Sequence, residues 1–277
     1  MDIKTYESVL FRIGEKMALP IDEIFPALQG EGTRMGVPSV FVRTGGCNLT
    51  CKGFGCTAIS PKDGETEIRG CDSIHAVNVK HFKHTWNYYD TSSELIDDIL
   101  NVIQSETHGN AEKSDIIFTG GEPLIHHTDK VLTDTIEYFT SRGHKVWFET
   151  NGTQFIDFNK YDVFKNVSFS MSVKMSASGE KKEKRWKPDV VNEYLRYTND
   201  SYFKFVLSSN SIKEESNEVF EFLKQVSTFG VVYCMPLGET SKEVETNAKD
   251  VYEFAMKNGF RYSDRLHIRV YNDLRGV

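Results

Sequence analysis

The sequence predicts an α/β fold in which strand, loop and helix repeat to build a parallel sheet. Short apolar runs such as 115–118 and 202–207 alternate with segments of helical periodicity. The polar and glycine-rich motifs follow directly after these runs, at the edge where α/β folds place active sites. With 277 residues, 39% of them hydrophobic, the chain can bury one large core.

The individual elements are expected in the following order. Strands are predicted at 39–44, 115–118, 145–148, 167–173, 202–207, 231–235 and 266–270. Helices are predicted at 94–103, where Ser93 is the expected N-cap, and at 131–139. Two further helices should begin at capping boxes, one formed by Ser211 with Glu214 and one by Thr240 with Glu243.

Three segments do not follow this alternation. Residues 1–19 are expected to form an N-terminal extension, in which residues 9–13 have the pattern of a short amphipathic helix. Residues 53–89 are rich in Lys, His, Asp and Gly and are predicted to be an irregular insertion. The charged run 176–188 is interpreted as a solvated loop. Residues 20–277 are therefore expected to form a single domain that carries one insertion.

Composition excludes several classes of partner. The net charge of −7 argues against a general nucleic-acid binder. No run of about 18 apolar residues occurs, so no membrane partner is expected. The first residues lack the apolar centre of a signal peptide, which predicts a cytoplasmic protein.

The cysteines are the strongest indication of chemistry. Four of the five lie within a short stretch of the chain: Cys47, Cys51, Cys56 and Cys71, with Cys234 apart from them. An odd number in a reducing compartment is a poor disulfide framework, and thiolates are soft ligands for zinc or iron–sulfur clusters. Three interpretations stay open: an iron–sulfur cluster held by three thiols, a structural zinc held by four, or inert buried cysteines.

A glycine-rich turn, Gly120-Gly121-Glu122-Pro123, follows the strand predicted at 115–118. Glycines there let the backbone approach a ligand closely, although such a turn is weak evidence alone. Together with the cysteine loop it resembles the radical S-adenosylmethionine (SAM) superfamily. That resemblance implies a partial (β/α) barrel, abridged relative to a full TIM barrel. It also implies a 4Fe–4S cluster on three thiolates, whose fourth iron chelates SAM.

Further motifs narrow the resemblance. They are Pro20–Phe25, Leu28-Gln29-Gly30-Glu31-Gly32, Gly36-Val37-Pro38, Phe41-Val42-Arg43, Cys71-Asp72-Ser73, Glu149-Thr150-Asn151-Gly152-Thr153 and Ser172-Val173-Lys174. The series resembles the 7-carboxy-7-deazaguanine synthase family from Pro20 to about Lys174, and more faintly to Pro236. The family implies that 6-carboxy-5,6,7,8-tetrahydropterin undergoes a radical ring contraction that needs Mg²⁺ and releases ammonia. It also implies an electron donor such as flavodoxin, and a homodimer.

The resemblance assigns roles to residues of this chain. The cluster ligands would be Cys47, Cys51 and Cys71, and Ser73 would bind Mg²⁺ in place of a family Thr. SAM would be contacted by Gly121, Ser172 and Lys174. The pterin substrate would be contacted by Leu28, Gln29, Gly30, Arg43, Thr119 and Pro236. The planar guanidinium of an arginine suits a substrate carboxylate.

The chain departs from the family pattern at the third cysteine. The family spacing is C-x3-C-x2-C followed by Asp-Thr, whereas here Cys56 follows Cys51 by five residues and Cys71 by twenty. Only Cys71 is followed by Asp-Ser, so Cys71 is predicted to be the ligand, since loop closure costs grow slowly with length. Val173 also replaces a family proline.

Two other functions remain alternatives. A radical SAM activase that installs a glycyl radical on a partner protein would share the cysteine loop and the glycine turn. A zinc-stabilised binding module would use four structural cysteines. His75, His81 and His84 resemble a metal cluster, but they are interpreted as part of a polar loop.

Overall fold

The computed structural model describes residues 18–107, 114–226, 230–274 and 276. Nearly all of the predicted extension, including the helix expected at 9–13, lies outside these residues. The strands are β1 (Leu19–Leu28), β2 (Pro38–Thr44), β3 (Cys56–Ile59), β4 (Glu67–Gly70), β5 (Asn87–Tyr89), β6 (Asp115–Gly120), β7 (Val146–Thr150), β8 (Ser168–Met171), β9 (Tyr202–Leu207), β10 (Val231–Pro236) and β11 (Arg261–Tyr262).

The α-helices of the described residues range from one turn to 18 residues in length. They are α1 (Ile74–Val77), α2 (Val79–Phe82), α3 (Ser92–Thr107), α4 (Lys130–Ser141), α5 (Lys182–Arg185), α6 (Pro188–Tyr197), α7 (Ile212–Leu223), α8 (Ser241–Asn258) and α9 (Leu266–Tyr271). No helix in these described ranges combines the length and the apolar character needed to cross a membrane.

The main sheet has nine strands in the order β11-β10-β9-β8-β7-β6-β2-β1-β5. The run from β2 through β6 to β11 is parallel, which confirms the predicted parallel sheet with helical crossovers. At the other edge β1 lies antiparallel to both β2 and β5. Strands β3 and β4 form a separate hairpin.

The sheet curls around one face. Glu31, just after β1, forms an ion pair with Lys204 of β9. Strands β2, β6, β7 and β8 lie between β1 and β9 in the sheet order, so a flat sheet could not bring these two side chains together. The result is an open, partial barrel whose inner face is concave.

The outer face of the sheet carries most of the hydrophobic core. Phe169 of β8 stacks on Tyr194 of α6 with ring centroids 4.4 Å apart, and Phe203 of β9 packs against Phe222 of α7. These rings are fully buried, and they fix the crossover helices on the outside of the sheet. The inner face is therefore left for the site.

The predicted elements differ from the structure mainly near the end of the chain. Residues 266–270, expected as a strand, form helix α9, in which only Ile268 is buried. Leu266, Ile268 and Val270 alternate with His267 and Arg269, which favours a strand, although positions 266 and 270 also share one face of a helix. The last strand is instead the short β11, which pairs with β10.

The predicted helix starts were partly right. Thr240 and Glu243 form the expected capping box of α8. The box predicted at Ser211 is wrong, because the Ser211 side chain makes no cap bond and donates to Glu215 instead. Ser93 is not the cap of α3 either, since Thr91, two residues earlier, exchanges the reciprocal bonds with Glu94.

The predicted insertion 53–89 is folded rather than irregular. It contains the β3–β4 hairpin, helices α1 and α2, and strand β5. A small core of its own holds it together, made of Ile68, Ile74, Phe82 and Trp86. Each of these buried side chains contributes about 1.5–3 kcal/mol of hydrophobic stabilisation. The insertion therefore places Cys71 at a defined point instead of on a free loop.

Candidate active site

The inner face of the sheet is built in two layers. The lower layer is a small apolar cluster of Phe41, Ile117, Trp147, Tyr202 and Tyr233. Because side chains of a strand alternate, residues two positions further along face the same way. In β2, β6, β7 and β9 those residues are polar, and they form the upper layer: Arg43, Thr119, Glu149 and Lys204. In β10 the corresponding residue is Met235.

A buried ion-pair group crosses the upper layer. The Lys204 Nζ atom lies 2.5 Å from Glu31 Oε2 and 3.9 Å from Glu149 Oε1, and the Arg265 Nε atom lies 3.1 Å from Glu31 Oε1. Burial raises the pKa of Glu31, but the charges of Lys204 and Arg265 outweigh it and hold that pKa well below its usual value. Glu31 is thus an anion fixed between two cations.

Glu149 connects this group to two of the predicted substrate residues. Gln29 donates from Nε2 to Glu149 Oε1 at 3.4 Å, and Thr119 donates from Oγ1 to Glu149 Oε2 at 2.8 Å. The Gln29 Oε1 atom in turn accepts from the backbone N–H of Glu31 at 3.1 Å. Gln29 and Thr119 are therefore brought together, with Glu149 as their common partner.

Arg43 lies on the side of the upper layer that faces the insertion. Its Nε atom donates to Glu23 Oε1 at 2.6 Å, and its Nη1 atom donates to Ser73 Oγ at 3.4 Å. Ser73 donates to Asp72 Oδ1 at 3.3 Å, and Asp72 Oδ2 lies 3.2 Å from Arg265 Nη2. Polar contacts therefore run continuously from Arg43 through the Cys71-Asp72-Ser73 turn to the buried ion pairs.

The cysteine loop lies at the carboxyl end of β2. Cys47 accepts a hydrogen bond from the Leu49 N–H at 3.4 Å, and Cys51 has a left-handed backbone with φ of 46°. Burial raises the pKa of all three predicted ligands, to about 11 for Cys51 and about 12 for Cys71. Negative charge on Cys51 or Cys71 also raises the pKa of Cys47. The structure therefore brings the three thiols into one neighbourhood.

This arrangement fits a cluster better than a single metal ion. A zinc ion bound to thiolates at about 2.3 Å holds its sulfurs less than about 4 Å apart. Among the described residues, the one group of three metal-binding side chains within 4.8 Å of one another is Asp22, Glu23 and His75, and it contains no cysteine. The sulfur atoms of Cys47, Cys51 and Cys71 do not all lie within 4.8 Å of one another. This wider spacing suits an iron–sulfur cluster, which is larger than a single zinc ion.

Cys56 lies beside this group but has a different partner. It begins β3 opposite Gly70, so it is near Cys71, whose charge affects its pKa. Burial and a hydrogen bond with the Glu239 side chain raise the pKa of the Cys56 thiol. Cys56 is thus tied to the loop after β10.

The glycine turn packs against the cysteine loop. A Cβ atom at Gly121 would lie 2.0 Å from the carbonyl oxygen of Gly46, and one at Gly120 would lie 2.3 Å from that of Thr44. The N–H of Glu122 donates to Gly46 O at 2.9 Å. No side chain fits at either glycine, because the backbones of the two loops are in contact there. This contact places Gly121 directly beside Cys47.

Glu122 fastens the same turn to the next strand. Its carboxylate accepts from Thr150 Oγ1 at 2.7 Å and from the Asn151 N–H at 2.6 Å. The side chain is fully buried, and burial raises its pKa to about 7. Asn151 also donates to Asn48 Oδ1 at 2.9 Å, so the loops after β2, β6 and β7 form one unit.

Ser172 and Lys174 follow β8 and reach the same place. The Ser172 N–H donates to Thr150 O at 2.7 Å, and Lys174 Nζ donates to Ser172 Oγ at 3.0 Å. The charge of Lys174 lowers the pKa of Cys51 and Cys71, against the larger effect of burial. Lys174 is therefore a cation close to the thiols.

The remaining predicted residues lie further from this centre. The Leu28 side chain is 52% exposed at the far end of β1, where it pairs with Pro38, so its side chain does not join the inner face. Gly30 is pressed against α9, because a Cβ there would lie 2.3 Å from His267 Nδ1. Pro236 is buried at the end of β10.

Sequence reasoning missed two members of the site and misjudged one segment. Lys204 had a usable signal, since a lysine inside the apolar strand Tyr202–Leu207 must find a partner if it is buried. Arg265 had none, because it lies in a loop beside residues predicted as a strand. Run 176–188 is not a solvated loop, since Arg185 within it is buried and ion-paired with Glu218.

Two histidines of the insertion, His75 and His81, contact different partners. His75 Nδ1 lies 2.5 Å from Asp22 Oδ2, whereas His81 Nδ1 contacts Ser60 Oγ at 2.9 Å. In the group of Asp22, Glu23 and His75, Glu23 is already paired with Arg43 and His75 with Asp22.

Comparisons with known proteins agree with this geometry. Residues 28–192 match the family described as a 4Fe-4S single cluster domain. The chain is 30% identical over 272 residues to a 7-carboxy-7-deazaguanine synthase of Halobacterium salinarum, covering 94% of this chain and 93% of that protein. A protein of the same name from Rhodopirellula baltica is 27% identical over 271 residues, which is 94% of this chain and 89% of that one.

Solved structures give the same fold. The crystal structure of QueE from Escherichia coli matches with a TM-score of 0.56 at 22% identity, over 94% of this chain and 99% of that one. A radical SAM methyltransferase from Sphaerobacter thermophilus matches with a TM-score of 0.50 at 13% identity, over 96% and 82% of the two chains. At these identities the likeness concerns the fold alone.

Proposed function

Because the chain belongs to the 7-carboxy-7-deazaguanine synthase family of radical SAM enzymes, we propose that it converts 6-carboxy-5,6,7,8-tetrahydropterin to 7-carboxy-7-deazaguanine with loss of ammonia. When bound, the 4Fe–4S cluster and SAM supply the hydrogen abstraction that starts the rearrangement. Family membership sets aside the glycyl-radical activase and the zinc module. The observation that carries the proposal is the meeting of three thiols and a polar inner layer at one edge of the sheet.

Cys47, Cys51 and Cys71 are the proposed cluster ligands. The charges of Cys51 and Cys71 act on Cys47, and the folded insertion delivers Cys71 to that place despite the long separation in sequence. Cys56 is left out because Cys71, and not Cys56, is followed by the Asp-Ser pair that marks the third ligand. Lys174 supplies a positive charge that partly offsets the anionic thiolates.

Gly121, Ser172 and Lys174 are the proposed SAM contacts. Gly121 packs against the Gly46–Cys47 backbone, and Ser172 and Lys174 are hydrogen-bonded to one another beside the thiols. A methionine carboxylate could accept from Lys174, and its ammonium group could donate to the carbonyls of the glycine turn. The three residues thus surround the position next to the cluster.

Arg43 is proposed to bind the substrate carboxylate. Glu23 orients the guanidinium through Nε, which turns the terminal nitrogens toward the inner face as a planar edge for a carboxylate. Glu149, with Gln29 and Thr119 on its two oxygens, offers acceptors to the amino group and ring N–H of a pterin. The ion pairs of Glu31 with Lys204 and Arg265 hold this layer rigid. The edge of the proposed substrate pocket is formed by the backbone of Leu28, Gly30 and Pro236.

Mg²⁺ is proposed to bind at Ser73. The ion prefers hard oxygen ligands and keeps several waters. The Ser73 hydroxyl, 3.3 Å from Asp72 Oδ1 and 3.4 Å from Arg43 Nη1, lies where a bound carboxylate could share the ion. The 54% exposure of the Asp72 side chain leaves room for water around it.

We further propose that the electron reaching the cluster comes from a separate protein such as flavodoxin, and that the chain acts as a homodimer. Both follow from the family rather than from any residue described here. Light scattering of the purified protein tests the dimer. Turnover with reduced flavodoxin, against a control without it, tests the donor.

Turnover of the reconstituted protein tests the function. The anaerobically loaded chain should carry about 4 iron and about 4 sulfide and should convert carboxytetrahydropterin, SAM being regenerated. Mass spectrometry should detect a product lighter by one ammonia. A loaded chain that cleaves SAM but leaves the pterin unchanged would contradict the proposed substrate.

A further inference from the structure

We propose that Glu180 is a positioning residue for the cluster ligand Cys51, and that its charge sets the reduction potential of the cluster. The inference rests on the proposed cluster site. It concerns the segment 176–188, which the sequence pattern presented as a solvated loop.

Glu180 grips the backbone of the cysteine loop. One carboxylate oxygen, Oε1, accepts from the Thr50 N–H at 2.6 Å, from Thr50 Oγ1 at 2.8 Å and from the Cys51 N–H at 3.0 Å. Hydrogen bonds to an ionised acceptor are stronger than neutral ones. A single side chain thus holds two consecutive residues of the loop.

These hydrogen bonds hold the backbone at a residue whose conformation is unfavourable. Cys51 has a φ of 46°, and among the described residues Asn272 is the other residue besides glycine with a positive φ. A left-handed conformation is unfavourable for a residue other than glycine, and it persists only where the surroundings impose it. The bonds from Glu180 to the N–H of Cys51 and of its neighbour supply that constraint.

Glu180 is itself held in place. Arg185 donates from Nε to the Glu180 carbonyl at 3.2 Å and from Nη1 to the Lys174 carbonyl at 2.9 Å, and it is ion-paired with Glu218 of α7 at 2.7 Å. The backbone of Gly53 is in close contact with the same segment, since a Cβ atom at Gly53 would lie 2.1 Å from the carbonyl oxygen of Ala177. The cysteine loop is therefore anchored to α7 through this segment.

The position of the carboxylate gives it an electrostatic effect. The carboxylate accepts the N–H of the proposed cluster ligand Cys51, so that N–H cannot donate to a cluster sulfur. It also places a negative charge close to the proposed cluster. A negative charge beside a cluster stabilises the more oxidised state, and net charge and hydrogen bonding are among the factors that set cluster potentials. Glu180 should therefore make the cluster harder to reduce.

Two substitutions separate the charge from the hydrogen bonds. Glu180→Gln keeps an acceptor oxygen in the same place but removes the charge, and Glu180→Ala removes both. Glu183→Gln is the matched control, because Glu183 is exposed in the same segment and its side chain has no described contact with the loop. All four proteins, wild type included, are loaded anaerobically and titrated potentiometrically with electron paramagnetic resonance detection.

We expect Glu180→Gln to keep the iron content of the wild type and to shift the potential in the positive direction, while Glu183→Gln leaves it unchanged. Glu180→Ala should release iron to a chelator several-fold faster. Equal potentials for Glu180→Gln and Glu183→Gln would overturn the inference, provided the wild type carries its cluster. A wild-type chain without a cluster would overturn the proposed function, and the role of Glu180 with it.

Discussion

The Nζ atom of Lys204 lies 2.5 Å from Glu31 Oε2, and both side chains are buried on the inner face of the sheet. This pair joins β9 to the segment after β1 across the width of the partial barrel. Burial lowers the pKa of Lys204, but the charges of Glu31 and Glu149 raise it above its usual value overall. The pair thus stays ionised, and it closes the sheet around the site.

Removing the lysine should destabilise the fold. Lys204→Met removes one of the two cations that face Glu31 and the cation paired with Glu149, and breaking a buried pair costs about 3–5 kcal/mol. Urea unfolding at neutral pH measures the loss. Lys145→Met is the control, since Lys145 and Asp200 are exposed and their charged atoms lie 4.0 Å apart. That change should cost under about 1 kcal/mol, and equal losses in the two variants would contradict the account.

The same group predicts an acid dependence. The pKa of Glu31 is held below its usual value of 4.5, so its contribution to folding is fully present above that pH and is lost as the pH falls below it. The difference in unfolding free energy between the wild type and Glu31→Gln should therefore shrink from pH 7 to about pH 3. Urea titrations at both values measure it. A difference that grows on acidification would contradict the sign.

Arg43 should act on substrate binding alone. Arg43→Gln removes the charged edge proposed for the substrate carboxylate, at a cost of about 2 kcal/mol, or roughly 30-fold in KM for the pterin. Iron content should stay at the wild-type value. Arg142→Gln, an exposed change on α4, should alter neither quantity. Loss of the cluster in Arg43→Gln would show a structural role instead.

Ser73 should determine the response to Mg²⁺. Ser73→Ala removes the hydroxyl ligand, so activity should need roughly 10-fold more Mg²⁺, the usual scale for one lost ligand contact. Ser73→Thr restores a hydroxyl and should respond like the wild type. Activity measured against Mg²⁺ concentration distinguishes the three proteins. Identical curves for the alanine variant and the wild type would contradict the assignment.

The sequence predicted the parts of the fold that depend on local pattern. Strand β9 was predicted over its full length because Tyr202–Leu207 is a continuous apolar run except for one lysine. Helix α9 was mistaken for a strand because Leu266, Ile268 and Val270 alternate with polar residues, which is the period of a half-buried strand. The folded insertion could not be foreseen, since Trp86 and Phe82 are buried by a cluster whose other members, Ile68 and Ile74, lie up to 18 positions away in the sequence.

The site, too, has residues that the sequence could identify and contacts that it could not. The thiols and the glycine turn carry motif spacing, so sequence could identify them. The pairing of Lys204 with Glu31 could not be read from any local pattern, because 173 positions separate the two residues. Glu180 was missed for the same reason, since its partner Thr50 lies 130 positions earlier. Contacts formed by the curling of the sheet have no periodicity in sequence.

The iron content of two cysteine variants tests the central claim most directly. Anaerobically reconstituted Cys56→Ala should retain about 4 iron per chain and turn over the pterin, because Cys56 lies outside the proposed ligand set. Cys71→Ala should lose the intact cluster and all turnover. A fully loaded, active Cys71→Ala protein, or a Cys56→Ala protein without its cluster, would contradict the assignment of the three thiols.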